Sequence, residues 1–196
     1  MALKKQKSAE AVATPVLGVR IRAAEPADLP GVMAMDQRIT GVAKASYWQW
    51  ALAHYAGGTA DRTFLIAEAP DGALAGFIIG EVRAWEFGAP PVGWVFAIQV
   101  DQTLRLGGVG TQLFDTLLAR FRAAGVDRVR TLVDRRDHLI LSFFRSQGMT
   151  AGPSLQLDLE LDHEPGSAGV PPASGESPAF ARHERARGPR SQGSQS

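Results

Sequence analysis

A glycine-rich stretch, Arg105 to Thr111, constrains the fold most strongly, because it joins an apolar run to an amphipathic one. Residues 94–100 have the composition of a buried strand, and residues 112–121 have the apolar spacing of a helix. Glycine permits a tight turn and a close backbone approach, and the first N–H groups of a helix have no partners within it. The helix dipole adds about half a positive charge at that end, which favours a phosphate group. The order of strand, glycine turn and helix therefore predicts a phosphate-binding turn.

The composition is that of an ordinary globular protein, and it excludes several classes of function. The 196 residues have a formal net charge of +1, and residues 18–162 hold 14 Lys and Arg against 16 Asp and Glu. This balance gives no basis for nucleic-acid binding. The absence of cysteine excludes disulfides and cysteine–metal sites. Because no apolar stretch approaches the ~20 residues that span a bilayer and no signal peptide is visible, we expect a cytoplasmic protein without metal or membrane contacts.

We expect one folded domain, residues 18–163, between two disordered segments. The leader, residues 1–17, carries a small lysine cluster and little hydrophobic periodicity. The tail, residues 164–196, is dominated by Gly, Pro, Ser, Ala and Arg. Such a composition cannot bury enough apolar surface to offset the entropy of ordering the chain.

Hydrophobic periodicity predicts an α/β (α+β) domain with a mixed central sheet of about six to seven strands flanked by helices. The first strand is followed by two helices, for which Asp28 and Ser46 are the expected N-caps. Pro70-Asp71-Gly72 predicts a hairpin, and Gly80 in its second strand indicates a bulge. The later elements are expected to be a strand at 93–100, a helix at 112–121, a strand at 128–134, a helix opened by Asp137 and a strand at 154–161.

The position of the glycine turn distinguishes between phosphate carriers. A dinucleotide-binding fold places its turn after the first strand, whereas here a hairpin comes first and no third glycine stands at Leu113. Asp134, on a later strand, keeps the dinucleotide interpretation open. No lysine follows the glycines, which excludes a nucleoside-triphosphate loop of the Gly-Lys-Ser/Thr kind.

The pattern Arg105-x-x-Gly108-x-Gly110 resembles the acetyl-coenzyme A signature of the GNAT superfamily of N-acetyltransferases, Gln/Arg-x-x-Gly-x-Gly/Ala. The order of elements over residues 18–162 is similar to that family's order. Its aromatic pair followed by Gly-Phe also appears, as Phe143-Phe144 and then Gly148-Met149. The resemblance implies the GNAT fold, with a cofactor strand splayed from its parallel neighbour. It also implies transfer of an acetyl group from acetyl-coenzyme A to a primary amine, on a small molecule or on a protein N-terminus or lysine.

The same resemblance implies which residues hold the cofactor. The backbone of the cofactor strand would pair with the pantetheine arm, and the glycine turn would hold the pyrophosphate. Asp137 stands where the family usually has asparagine. Arg135, Arg136 and Arg145 are candidates for the 3′-phosphate, with a solvated surface as the alternative. The cofactor-binding residues expected in this way are Ile98, Gln99, Val100, Arg105, Leu106, Gly107, Gly108, Val109, Gly110, Thr111 and Asp137.

The catalytic residues are less clearly indicated. The family's tyrosine acid is replaced by Phe144, so solvent or another group must protonate the departing thiolate. Trp94 occupies the position at which some members carry a glutamate base. Glu81 and Glu86 are the nearest substitutes, with solvated surface carboxylates as the alternative. His54 is a further candidate, with core or surface placement as the alternative. The aromatic helix that carries Trp50 and His54 fits either core packing or a wall of the substrate pocket.

The absence of the tyrosine also motivates a second hypothesis, an acyl-coenzyme A-binding sensor module without turnover. The edge strands would support a homodimer under either hypothesis.

Overall fold

The computed structural model describes residues 18–57, 59, 61–85 and 90–159. Of these residues, those up to Gly152 belong to one unit, and residues 153–159 belong to another. The expected leader, the expected tail and the expected domain end near His163 lie outside the described residues. In the described ranges, no helix is both long and apolar enough to cross a membrane.

A five-stranded sheet forms the centre of the first unit, in the order β1–β2–β3–β4–β5. The first three pairs of neighbours are antiparallel, and β4 and β5 run parallel. This confirms the predicted mixed sheet, although the described residues hold fewer strands than expected. A sheet with one parallel pair is not built from repeated strand–helix–strand crossovers, so the dinucleotide-binding interpretation is wrong. The strands are β1 (Arg20–Ala23), β2 (Arg62–Glu68), β3 (Leu74–Arg83), β4 (Val92–Val100) and β5 (Val129–Thr131).

Helices cover both faces of the sheet, which explains why β2 and β3 are buried along most of their length. Helices α1 (Leu29–Thr40) and α2 (Ala45–Tyr55) pack on one face. Helices α3 (Val109–Ala123) and α4 (His138–Ser146) pack on the other. We call these the α1/α2 face and the α3/α4 face.

Helix α3 approaches the sheet closely because two glycines make room for one of its rings. A Cβ atom at Gly93 would lie 2.4 Å from Cδ2 of Phe121, and one at Gly80 would lie 2.8 Å from Cζ of the same ring. No side chain larger than hydrogen fits at either position without displacing the helix. The buried face of α3 therefore depends on these two small residues.

The predicted hairpin is confirmed, and so is the irregularity near Gly80. The turn between β2 and β3 places Gly72 at φ 82°, and Ala73 N donates to Oδ1 of Asp71 at 3.0 Å. In the ladder between β3 and β4, the register shifts between Ile79 and Gly80. The sequence pattern thus locates the hairpin and the position of the register shift, but the extra residue of the bulge lies on β4 and not at Gly80.

Neither of the two expected N-cap residues, Asp28 and Ser46, caps its helix through a side-chain hydrogen bond. The Asp28 side chain makes no capping hydrogen bond to α1, because it pairs with Arg22 and accepts a bond from Glu25 N. Helix α2 begins at Ala45, one residue before Ser46, with Lys44 at the N-cap position. In the first case a tertiary ion pair competes successfully with the local cap.

The last two predicted strands also differ from the structure. β5 covers three residues, not the expected stretch 128–134, and the Leu132 side chain beyond it is 66% exposed. The strand expected over 154–161 is not formed across the described part, 154–159, which takes part in none of the described ladders. A strand exists only through its hydrogen-bonded partners, so alternation alone does not produce one. The three leucines of that segment are 74–84% exposed: Leu155, Leu157 and Leu159.

Candidate functional site

The second half of β4 has strand neighbours on one side only. In the first half of β4, pairing with β5 runs from Gly93 to Val95. A hydrogen bond of 3.0 Å from Thr131 Oγ1 to Val95 O extends this pairing. On the other side, pairing with β3 continues as far as Val100. Among the described residues, the backbone N–H and C=O groups between Phe96 and Val100 that point away from β3 therefore have no strand opposite them. The expected separation of the cofactor strand from its parallel neighbour is present.

A bulge lies at the point where the two strands separate. Ile79 pairs with Ala97 and Gly80 with Val95, so Phe96 lies between two paired residues and has no partner of its own on β3. Bulges bend a strand and increase its twist, which turns the following residues away from a straight continuation. This bend accounts for the end of β4–β5 pairing at Val95.

The glycine turn begins with a short helix that the sequence pattern did not indicate. Asp101 follows β4 and caps a 3-10 helix, Gln102–Gly107, by accepting bonds from Thr103 N at 3.0 Å and Thr103 Oγ1 at 2.7 Å. These bonds hold the pKa of Asp101 below its ordinary value. Gly108 then adopts φ 74°, in the left-handed region that favours glycine.

The first turn of α3 leaves its amides available to an anion. The earliest α-helical bond runs from Gln112 N to Gly108 O at 3.1 Å, and Gly108 supplies no side-chain cap. The N–H groups of Val109, Gly110 and Thr111 therefore lack acceptors within the helix. A Cβ atom placed on Gly108 would meet no atom within 4 Å, so there is open space beside the turn. Open space, uncapped amides and the helix dipole together fit a pyrophosphate group.

Helix α4 packs against this same turn and explains why the motif has a glycine at position 110. A Cβ atom at Gly110 would lie 3.1 Å from Cε2 of Phe143. Beside it, Gln147 Nε2 donates to Thr111 Oγ1 at 3.2 Å. The cofactor residues expected on β4 and in the glycine turn thus form one continuous path from Ile98 to Thr111.

The remaining residues expected to contact the cofactor have local partners or are exposed. Asp137 caps α4, and its Oδ1 accepts a bond from Ile140 N at 3.1 Å. Arg136 pairs with Asp134 at 2.8 Å, which raises the pKa of the guanidinium. Arg135 and Arg145 are exposed. The described contacts join none of these four residues to the glycine turn.

Glu81, the expected base, lies on the α1/α2 face beside Trp94, its register partner on β4. Glu81 Oε1 accepts a bond from Arg83 Nε at 2.6 Å. The Arg83 guanidinium lies over the rings of Phe96 and Trp94, at 4.5 and 5.5 Å from their centroids. Burial, with a smaller contribution from Glu81, raises the pKa of Tyr55 to about 12. Glu86 lies outside the described residues.

The aromatic residues of α2 divide between core and surface. Trp48 and Tyr55 are buried, whereas Trp50 and His54 are partly exposed and stack at 4.8 Å between ring centroids. On the opposite face of the sheet, Phe144 is buried against Phe114, with centroids 5.8 Å apart. Phe144 therefore contributes packing at the position where the family tyrosine would supply a hydroxyl.

A buried carboxylate on α1 was missed by the sequence analysis. Asp36 is 2% exposed and accepts hydrogen bonds from Lys44, Trp48 and Gln99. The signal was present, because Asp36 continues the helical spacing of Leu29, Val32 and Met33 and therefore falls on the buried side. A charged residue on an apolar stripe indicates a specific set of polar partners.

Comparison with known proteins identifies the family and the fold. Residues 29–149 match the family model described as Acetyltransferase (GNAT) family. No curated protein matches the chain. A tetramutant of the BH1408 protein from Bacillus halodurans has 18% identity and a TM-score of 0.62, with 72% of this chain and 99% of that chain covered.

Two further solved structures are enzymes according to their names. AAC(6')-Iy, in complex with the bisubstrate analogue CoA-S-monomethyl-acetylneamine, has 16% identity and a TM-score of 0.63, covering 74% of this chain and 99% of that chain. Glucosamine-6-phosphate N-acetyltransferase from Arabidopsis thaliana has 17% identity and a TM-score of 0.59, with the same coverage. At these identities the similarity establishes a shared fold.

Proposed function

Because the chain belongs to the acetyltransferase (GNAT) family, we propose that it moves an acetyl group from acetyl-coenzyme A to a primary amine. The observation that carries this proposal is the continuous path formed by the free edge of β4 beyond Val95, the 3-10 helix and the uncapped first turn of α3. An extended amide-bearing arm pairs with a free strand edge, and a pyrophosphate binds at a helix N-terminus.

Each part of this path has a separate role. The backbone from Ile98 to Val100 pairs with the pantetheine arm, and the amides from Leu106 to Thr111 hold the pyrophosphate. A backbone N–H on the free edge of β4 donates to the carbonyl oxygen on which negative charge develops during acyl transfer. When bound, the cofactor supplies a thioester from which the acetyl group is transferred.

Glu81 is our candidate for the group that removes a proton from the acceptor ammonium, directly or through water. It is the cross-strand neighbour of Trp94, which occupies the position of the family's glutamate. The bulge at Phe96 lies two residues further along β4. Helix α4 carries no tyrosine in place of Phe144, so we assign protonation of the thiolate to solvent.

The acceptor is a primary amine on a small molecule or a protein. The structural neighbours named above are associated with an acetylated neamine and with glucosamine-6-phosphate, which supports a small-molecule amine. Their low identity leaves protein N-termini and lysine side chains within the proposal.

The proposal is tested by calorimetry with coenzyme A on the parent chain and two variants at one position. Gly108→Glu introduces a negative charge into the open space beside the turn, and Gly108→Gln introduces a neutral group of the same size and the same backbone strain. We expect Gly108→Glu to bind at least about tenfold more weakly than Gly108→Gln, because it repels the pyrophosphate. Equal affinity in all three chains would contradict the assignment of the turn.

Turnover is measured separately, as thiol release from acetyl-coenzyme A with a panel of amines, aminosugars and peptides. Amine-dependent release supports the transferase. Cofactor binding without release on any member of the panel would favour the binding module instead.

A further inference from the structure

We propose that Asp36 is a positioning residue, which holds the second half of β4, where the strand has no β5 neighbour, in the conformation that receives the cofactor. This inference rests on the proposed function and assigns a role to a buried carboxylate that the transfer chemistry does not use. It concerns affinity for the cofactor and not the proton transfers.

The contacts of Asp36 join four segments of the chain. Its Oδ2 accepts bonds from Trp48 Nε1 at 2.9 Å, on α2, and from Lys44 Nζ at 2.9 Å, just before α2. Its Oδ1 accepts a bond from Gln99 Nε2 at 3.0 Å. Gln99 belongs to the half of β4 that is paired with β3 but not with β5. Through this bond, α1 is joined to β4 at a residue of the stretch that is expected to bind the cofactor.

The burial of Asp36 makes each of these bonds important. A buried carboxylate that loses a partner is left with an uncompensated charge, so the three donors are held in place by the cost of losing them. An ionised carboxylate only accepts hydrogen bonds, which fixes the orientation of the Gln99 amide with Nε2 toward Asp36. Oε1 of Gln99 is then buried without a hydrogen-bond partner among the described residues. Among the described contacts, the side-chain amide of Gln99 is therefore held by one hydrogen bond, which it donates to Asp36.

The second half of β4 needs this support because it has lost one of its two neighbours. The ladder to β3 holds one side of the strand, and β5 no longer holds the other. If the strand departs from the binding conformation, the apparent affinity for the cofactor falls in proportion to the fraction of chains that remain competent. The bond from Asp36 to Gln99 keeps that fraction high before the cofactor arrives.

A purely structural role predicts a different outcome. In that case Asp36 would join α1 to α2, and the bond to β4 would be incidental. The two roles can be separated, because Trp48 and Gln99 donate to different oxygens of the same carboxylate. Loss of the Trp48 bond affects the helices, whereas loss of the Gln99 bond affects the strand.

The test compares Gln99→Met with Trp48→Phe by calorimetry with coenzyme A and by thermal unfolding. Methionine preserves the length of the side chain and removes the donor. We expect Gln99→Met to bind coenzyme A about three- to tenfold more weakly, which corresponds to the loss of one hydrogen bond of ordinary strength. Trp48→Phe should lower the unfolding temperature and leave the affinity within about twofold of the parent chain. Equal affinity in Gln99→Met and the parent, or equal losses in the two variants, would overturn the proposal.

If Gln99→Met does not fold, a second test reverses the direction of the hydrogen bond between positions 36 and 99. Gln99→Glu places a second carboxylate against Asp36 and should weaken binding more than Gln99→Met. Adding Asp36→Asn to Gln99→Glu restores one donor and one acceptor with the direction of the bond reversed, so affinity should recover toward the parent value. No recovery would count against the proposal. Failure of the parent chain to bind coenzyme A would instead overturn the proposed function, which keeps the two failures distinct.

Discussion

Glu81 on β3 is the register partner of Trp94 on β4, so a carboxylate and an indole lie side by side on the α1/α2 face. The pair lies next to the bulge at Phe96. Under the proposed function, the Glu81 carboxylate would act as the base although position 94 carries a tryptophan.

We expect Glu81→Gln to lower turnover by about 100-fold or more, the usual contribution of a general base. Affinity for coenzyme A, measured by calorimetry, should be unchanged, because the cofactor path does not include Glu81. Asp115→Asn, an exposed carboxylate on α3, is the matched control and should retain parent turnover. If Glu81→Gln were as active as Asp115→Asn, the proton would have to be removed by another group.

Gly93 should tolerate no side chain. The Cβ atom of Gly93→Ala would lie 2.4 Å from a ring carbon of Phe121, so α3 must move away from the sheet. We expect a loss of about 1–3 kcal/mol in the free energy of unfolding, measured by urea denaturation. Gly57→Ala, whose Cβ would meet its nearest atom at 3.9 Å, is the control and should change stability by less than about 0.5 kcal/mol. Equal effects of the two substitutions would refute this packing argument.

Gly110 should accept alanine but not valine. The alanine Cβ would lie 3.1 Å from the Phe143 ring, which is only half-buried and can shift slightly. The better helix propensity of alanine, about 1 kcal/mol relative to glycine, offsets this contact. Valine adds two methyl groups against the ring and should cost about 1–3 kcal/mol. Denaturant unfolding of both variants checks the order, and a more stable Gly110→Val would contradict it.

Acid should remove the contribution of the Arg22–Asp28 ion pair. Nη1 and Nη2 of Arg22 each donate to the Asp28 carboxylate at 2.7 Å, and this pairing lowers the pKa of Asp28. The folded chain therefore protonates Asp28 less readily than the unfolded chain does. The stabilisation is complete above the ordinary aspartate pKa of about 4 and is lost as the pH falls through the lower, folded value.

Accordingly, Asp28→Asn should be less stable than the parent by about 1–2 kcal/mol at pH 7, as expected for a part-buried bond to a charged group. Urea unfolding across a pH series should show the two chains converging below pH ~4, where the parent carboxylate becomes protonated. A difference that stayed constant down to pH 2 would assign the loss to packing instead.

Features that depend on neighbouring residues in the chain were predictable from the sequence. Pro70, Asp71 and Gly72 encode the hairpin turn through their own backbone preferences. Asp137 caps α4, as the pattern indicated. The glycine turn was located correctly, although the preceding 3-10 helix was not expected.

Features that depend on distant parts of the chain could not be read in the same way. The pattern at 128–134 predicts a long strand, but the bend at Phe96 removes the partner that such a strand would need. The bond from Gln99 to Asp36 joins residues 63 positions apart. Local patterns identify a residue that needs a partner, and only the fold identifies the partner. The cofactor contacts, the base, the cytoplasmic location and a homodimer stay predictions.

The free edge of β4 has a consequence for solubility and storage of the protein. An open strand edge pairs with any extended chain that reaches it, including the same edge of another molecule. A cofactor arm that occupies the edge would compete with such self-association and would also stabilise the folded state by mass action, by about 2.7 kcal/mol at 100 times its dissociation constant. Under the proposed function, the cofactor would complete the sheet as well as donate the acetyl group, and its concentration would affect how much of the protein stays folded and monodisperse.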